Sequence, residues 1–305
     1  MDWNGHGAVL INNKLIIPPK TSESVGLNDD SNELLMLDMT SSFDSASSPW
    51  QNITPTNAPN ISFHAMSTGG SKVVIWGGET PGEQPSNSLL YFDTITLQMN
   101  IQNSSSNPPG TIESSMVTRI NDSVAYIYGG YTGSSAEVLG GSTPRSPSFS
   151  KNMYALNIDS GSFSLQSNTN NAPPQGLIQH SATILSNGKI YIIGGLIPGA
   201  NGALSSMSKI YIFDTLQNTW SQLNATNPSP PNRRLHGAIG SMSPDNKIII
   251  FGGADLNFLK YNDIAVLDTF NEILSWSLQN TTGTPPSARY AHTFTLVGNN
   301  AIVAF

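Results

Sequence analysis

A glycine pair that recurs behind a short apolar run most narrows what this chain can become. It occurs as Val73-Val74-Ile75-Trp76-Gly77-Gly78, Ala125-Tyr126-Ile127-Tyr128-Gly129-Gly130, Ile190-Tyr191-Ile192-Ile193-Gly194-Gly195 and Ile248-Ile249-Ile250-Phe251-Gly252-Gly253. A turn rich in Gly, Asn or Asp precedes each run: Gly69-Gly70-Ser71, Asn121-Asp122, Asn187-Gly188 and Asp245-Asn246. Runs of Ile, Val and Tyr joined by such turns read as β-hairpins. The first strand of each hairpin carries the histidines, His6, His64, His180, His236 and His292. They stand about 56–58 residues apart, save one gap twice as long, where Ser115 occupies the missing place. Every histidine is a repeat position, and a period of this size marks a repeat architecture.

Two further markers complete the unit. Segments 34–38, 89–93, 153–157, 210–214 and 264–268 are apolar and end in Asp or Asn, giving a third strand. A fourth opens on an aromatic residue: Trp50, Phe163, Trp220 and Trp276, with Met99 as the weak member. Pro59, Pro108-Pro109, Pro173-Pro174, Pro230-Pro231 and Pro285-Pro286 then lead to the next histidine segment. Proline cannot extend a ladder, so these links end each sheet. No helical periodicity competes. Units of four strands, here called a to d, predict an all-β protein, a β-propeller of four-stranded antiparallel blades.

The double glycines, the strand-c tyrosines Tyr91, Tyr154 and Tyr211, and the strand-d tryptophans resemble the kelch repeat, along the whole chain. The resemblance implies one kelch-type propeller over 1–305, with five complete repeats (5–58, 59–109, 110–174, 175–231, 232–286) and a truncated sixth (287–305). Departures are visible. Pro18-Pro19 replaces the first glycine pair, and the last repeat stops at Phe305, which aligns with Phe251. Kelch-type propellers close with six or seven blades, so the chain reads as a piece of a longer protein, with exposed strand edges if the ring stays open.

The markers read as scaffold before they read as a site. A phosphate loop needs a glycine-rich turn, a lysine and a helix, and neither lysine nor helix follows these pairs. Glycine permits positive φ and close backbone approach where blades crowd the axis. Trp50, Trp220 and Trp276 are expected as wedges between blades. The five histidines lack any H-E-x-x-H spacing, and one per blade is what structural repetition produces, so no metal or cofactor is expected. No catalytic residue is assigned. Galactose oxidases share the kelch architecture, but their copper site uses a tyrosine cross-linked to cysteine, and this chain has none. No G-x-S-x-G elbow is present either.

Composition excludes several partners. Thirteen basic against 20 acidic residues give a net charge of −7 without a basic run, so nucleic acid and anionic membrane surfaces are not expected. No window reaches 18 continuous apolar residues, so no membrane insertion is expected within the chain. Only 11% of residues are charged, against about 25% in an ordinary domain. Ser, Thr and Asn supply the surface, and they create sequons at Asn52, Asn60, Asn103, Asn121, Asn224 and Asn280, four of them just after the strand-d aromatic position. These are glycosylation candidates and point to an extracellular or cell-surface ectodomain, with a cytoplasmic protein as the alternative.

Function is then sought in what differs between repeats. The b–c connections 20–33, 79–88, 131–152, 196–208 and 254–261 vary in length and emerge with the d–a links on one face. Variable loops on a repetitive scaffold predict a binding face. The leading expectation is a non-enzymatic platform for a protein or glycan partner, resembling fungal secreted and attractin-like kelch proteins. The alternatives are a galactose-oxidase-like enzyme with its catalytic residues elsewhere, and a cytosolic kelch scaffold in polarity or signalling.

Overall fold

The structure, a computed structural model, describes residues 7–17, 33–59, 61, 64–80, 84–102, 112–118, 123–132, 148–166, 170–198, 202–241, 245–270 and 273–304. Blade 1 holds β1 (Val9–Ile11), β2 (Lys14–Ile17), β3 (Leu34–Asp38) and β4 (Gln51–Ile53). Blade 2 holds β5 (Ala65–Gly69), β6 (Lys72–Trp76), a short hairpin of β7 (Glu79–Thr80) and β8 (Gln84–Pro85), then β9 (Leu89–Asp93) and β10 (Gln98–Gln102). Blade 3 holds β11 (Ile112–Thr118), β12 (Val124–Thr132), β13 (Ser148–Phe149), β14 (Met153–Asn157) and β15 (Ser162–Leu165). Blade 4 holds β16 (Ser181–Ile184), β17 (Lys189–Ile193), the hairpin β18 (Leu196–Ile197) and β19 (Ala203–Leu204), then β20 (Lys209–Asp214) and β21 (Thr219–Asn224). Blade 5 holds β22 (Gly237–Gly240), β23 (Lys247–Phe251), β24 (Ile264–Asp268) and β25 (Ser275–Leu278), and a sixth sheet pairs β26 (Thr293–Val297) with β27 (Asn300–Ala304).

Five antiparallel sheets thus run a-b-c-d, and the fold is an all-β propeller. Tight turns join a to b because their residues reach the left-handed region, Asn12 and Asn13 at φ 49° and 59° in blade 1. Such turns match the twist of paired strands. The a strands touch one another in order around the axis, and β26 rests on β1. The inner strand of the sixth sheet thus lies against that of the first.

Strands b and c are buried on both faces because each blade is covered by its neighbours, so β6, β9, β17 and β20 are nearly continuous apolar runs. Strand d is outermost and buries little beyond its aromatic position, as in β21 and β25. The core is a series of layers between blades. One joins Met99 to Ile11 and Met36, another Trp220 to Tyr128 and Leu177, another Trp276 to Ile193 and Met207. Each of these strand-d residues thus packs on the blade before its own. Phe163 does so on Trp76, ring centres 4.6 Å apart, and Trp276 donates from Nε1 to the Met207 carbonyl at 2.8 Å.

Register corrects several alignments. Ser181 faces Ile193 and Ser115 faces Tyr128, each the residue before a glycine pair. The place of the missing histidine therefore belongs to Ser114, opposite Gly129, not to Ser115. Thr293 faces Ala304 as Gly237 faces Phe251, so Ala304, not Phe305, occupies the Phe251 position. In blade 3 strand b does not stop at its glycines: β12 runs through Gly129 and Gly130 to pair with β13. The b–c connections of blades 2, 3 and 4 start as short ladders, not as plain loops. Pro18-Pro19 lies outside the described residues.

Candidate functional site

The glycine pairs, the histidines and the d–a links form one joint, repeated between blades on the loop face. Gly194 and Gly195 have φ of 63° and 90°, and the other three pairs match. A Cβ on Gly194 would lie 2.8 Å from both the Arg233 carbonyl oxygen and Cε1 of His236, which start the next blade. A Cβ on Gly195 would lie 2.7 Å from Cβ of His180, in its own blade. Only glycine fits a backbone wedged this way at this φ. The second glycine donates to the same link: Gly130 to Leu177 O, Gly195 to Arg233 O and Gly253 to Arg289 O, at 2.8–3.0 Å. Gly77 and Gly78 share the positive φ values.

Each described histidine begins strand a inside this joint. His64, His236 and His292 are buried, and His6 lies outside the described residues. His180 Nε2 is 2.8 Å from Ser115 Oγ of blade 3, and His236 Nε2 is 2.9 Å from Ser181 Oγ of blade 4. A serine beside a histidine is the start of a nucleophile–base pair. Here Ser115 Oγ also reaches the Tyr128 carbonyl, and among the described residues no group bonds Nδ1 of His180 or His236, which is out of water. Acyl transfer needs an orienting third group at that nitrogen and access for a substrate, whereas these pairs sit buried between blades. Burial pushes the His180 and His236 rings down to about 3, so both are neutral at physiological pH. Among the described residues no three of His, Cys, Asp or Glu converge on a metal position.

The residue before each of these histidines was not singled out by pattern. Gln179, Leu235 and Ala291 all have positive φ, 56°, 55° and 53°, although none is glycine. They are linked around the axis: Leu235 N donates to Gln179 O, and Ala291 N to Leu235 O, both at 2.9 Å. Two residues earlier stands Arg233, fully buried. Its guanidinium grips Asp263 with both ends, at 2.6 and 2.7 Å, donates to Gly252 O at 2.9 Å, and lies 4.3 Å from the Tyr261 ring centre. The d–a link is thereby pinned to its own blade's b–c connection. The signal available in sequence was an arginine three residues before His236 and again before His292, Arg233 and Arg289. Asp263, 30 residues away from Arg233, carries none.

Around these joints the loop face has distinct surfaces. In blade 4 a half-open cavity of about 200 Å³ lies between the Pro173-Pro174 link and the β18–β19 hairpin, with Leu177, Leu204 and Tyr211 in its wall. In blade 5 the short connection 254–261 projects Leu256, Phe258 and Leu259, which are 41%, 48% and 62% exposed. Trp220 and Trp276 are buried and Trp50 is half-buried just ahead of β4. The sequon residues Asn52, Asn224 and Asn280 are exposed at the outer strand, while Asn60, Asn103 and Asn121 lie outside the described residues.

Comparison with known proteins agrees with this repeating joint. The KLHDC2/KLHL20/DRC7 Kelch-repeats domain matches the chain over residues 5–239 and again over 64–305. The chain belongs to the kelch-repeat family. Kelch relatives include Adagio-like protein 3 of Oryza sativa subsp. japonica, 29% identical over 135 residues, 43% of this chain and 21% of that protein. Tip elongation aberrant protein 1 of Schizosaccharomyces pombe is 26% identical over 226 residues, 71% of the kelch chain and 18% of its own length. The human Rab9 effector protein with kelch motifs is 24% identical over 115 residues, 38% and 29% respectively. The kelch chain thus spans less than a third of the length of these relatives. Kelch propellers are typical protein-interaction scaffolds, and no helix among the described residues is long and apolar enough to cross a membrane.

Proposed function

We propose that this kelch propeller is a non-enzymatic platform that holds a protein partner on the face formed by the b–c connections and d–a links. One observation carries the reading. The repeated polar residues, glycine pair and histidine, are used between blades, whereas the connections that differ expose large apolar side chains such as Phe258 and Leu259. Exposed apolar groups on a rigid scaffold are a mark of interaction sites. The name of one relative, an effector of Rab9, is in keeping with a binding role.

Lysines report on the two faces. Lys14, Lys72, Lys189 and Lys247 start b strands on the turn face, while Lys209 starts a c strand and Lys260 sits in a b–c connection on the loop face. Lysine-reactive cross-linking of the full chain to a captured partner should join Lys209 or Lys260. Cross-links confined to the turn-face lysines would overturn the reading.

We also propose an extracellular or cell-surface setting. The exposed sequons Asn52, Asn224 and Asn280 support it, because the glycosylation machinery needs acceptor asparagines at an accessible surface. Expression through a secretory eukaryotic host should add mass that an endoglycosidase removes, and that mass should fall with Asn224→Gln. A chain without such mass argues for the cytoplasm.

A further inference from the structure

The d–a link between blades 4 and 5 carries more proline than ending a sheet requires. The links into blades 4 and 5 and into the sixth sheet each have a proline six residues before the next histidine: Pro174, Pro230 and Pro286. Eight and five residues before that histidine the first link has Ala172 and Gln175, and the last has Thr284 and Ser287. The middle link has Pro228 and Pro231 at those places. The shared proline is enough to end a ladder, so these two are surplus to that task. They also differ in setting, since Pro230 is buried while Pro228 and Pro231 are exposed.

Proline stereochemistry dictates the backbone of this link. Each ring holds φ at about −65°, and a residue that precedes proline, here Ser229 and Pro230, is driven to extended ψ. Residues 228–233 accordingly run without a turn or bend. Together these constraints place the run in the polyproline II form, a rod with about three residues to a turn and no internal hydrogen bonds. Pro230 turns one edge of the rod to the propeller. Pro228 and Pro231 share a second edge, and Ser229 and Asn232, half-buried and exposed, share the third. Among the described residues nothing donates to the carbonyls of Pro228, Ser229 or Pro230. Both ends are clamped. Thr226 donates from N and Oγ1 to Leu274 O at 2.7 and 3.1 Å, Asn232 Oδ1 accepts from Met207 N at 3.0 Å, and Arg233 Nε donates to Pro231 O at 3.0 Å.

From this we infer that the segment Asn227-Pro228-Ser229-Pro230-Pro231-Asn232 is a docking ridge for a protein domain with an aromatic-lined groove of the SH3 type, which takes P-x-x-P rods. Pro228 and Pro231 seat between the aromatic rings of the groove, and its N–H or O–H donors reach the free carbonyls. The ridge is already clamped in the form that such a groove reads, so little order is lost on binding. The inference rests on the loop-face reading above, because the d–a links emerge there, and gives that reading a place and a class of partner.

The full chain, immobilised, is probed with an array of purified SH3 domains. At least one domain is expected to bind, and a soluble P-x-x-P peptide that fills its groove should displace it. The double variant Pro228→Thr, Pro231→Gln carries at these places the residue types of Thr284 and Gln175 in the neighbouring links, so it keeps the fold. Its melting temperature should match the wild type, and it should bind the domain about tenfold more weakly or worse, as when a hot spot is lost. Leu216→Ser removes a side chain 76% exposed on the opposite face and should change nothing. Binding that survives the double variant but is lost with another loop-face change such as Leu204→Asp would overturn the inference and leave the loop-face reading standing. Binding that the peptide does not displace, or an array without a binder, would also overturn the inference, and the lysine cross-links would still decide the loop-face reading. Loss only with Leu216→Ser would overturn both.

Discussion

At the residue scale the aromatic of strand d shows how a repeat position becomes an energetic one. Trp220 is 5% exposed, and its ring meets Tyr128 of the preceding blade at 5.3 Å and Phe213 of its own at 5.1 Å. Trp220→Ala should cost about 3–5 kcal/mol, because blades cannot slide together to fill the space. Chemical denaturation reads this directly, and an unchanged midpoint would refute the wedge. The buried histidines give a pH prediction. Folded His180 and His236 stay neutral down to about 3, whereas the unfolded chain takes up protons near the ordinary histidine value. The folded state binds fewer protons, so stability is full above about pH 6.5 and falls as pH drops towards 3, by at most about 1.4 kcal/mol per pH unit for each ring. The melting temperature should therefore decline from about pH 7 to about pH 4, and His236→Asn should lessen that slope. A slope indifferent to this change would show that other groups drive acid unfolding.

At the element scale, links and connections are held by specific polar contacts. Arg233 is the clearest case, a fully buried cation joined to Asp263, whose side chain is 33% exposed. Asp263→Ala leaves the guanidinium buried beside Gly252 O and Pro231 O without its carboxylate. The loss should be about 2–3 kcal/mol, below the value for a wholly buried pair because water reaches Asp263. Thermal melts of Asp263→Ala and Asp263→Asn check it. A loss under about 0.5 kcal/mol would mean that the stack on Tyr261 and the carbonyl bonds suffice to hold the link.

At the scale of the whole molecule, stability should be layered outward from the axis. Strands b and c have a partner on each side and a blade on each face, whereas strand d has one free edge and mostly exposed side chains. Native-state hydrogen exchange should therefore be slowest in β17, β20 and β23 and fastest in β21, β25 and β27. Uniform exchange would contradict this layering and indicate that whole blades detach together.

Much of the propeller was legible because its markers are local. An apolar run of four or five residues, a turn and a glycine pair are chemistry that neighbouring residues settle, and strand c was read to its last residue in all five blades. The family followed from those same residues. What pattern did not reach was the meeting of distant parts. The correct place of Ser114, the ladders after the glycines in blades 2 to 4, and the continuation of β12 through Gly129-Gly130 depend on pairing across strands. So do the candidate site's particulars. Arg233 finds Asp263, and Phe258 is held at φ 60° between Arg234 and Tyr290, by contacts that span 24 to 32 residues. The sequence by itself determined the blades, since each is specified by residues side by side in the chain. Only the tertiary structure decided which groups each histidine and glycine meets across a joint and which connection stands exposed, because those outcomes arise where one blade leans on the next.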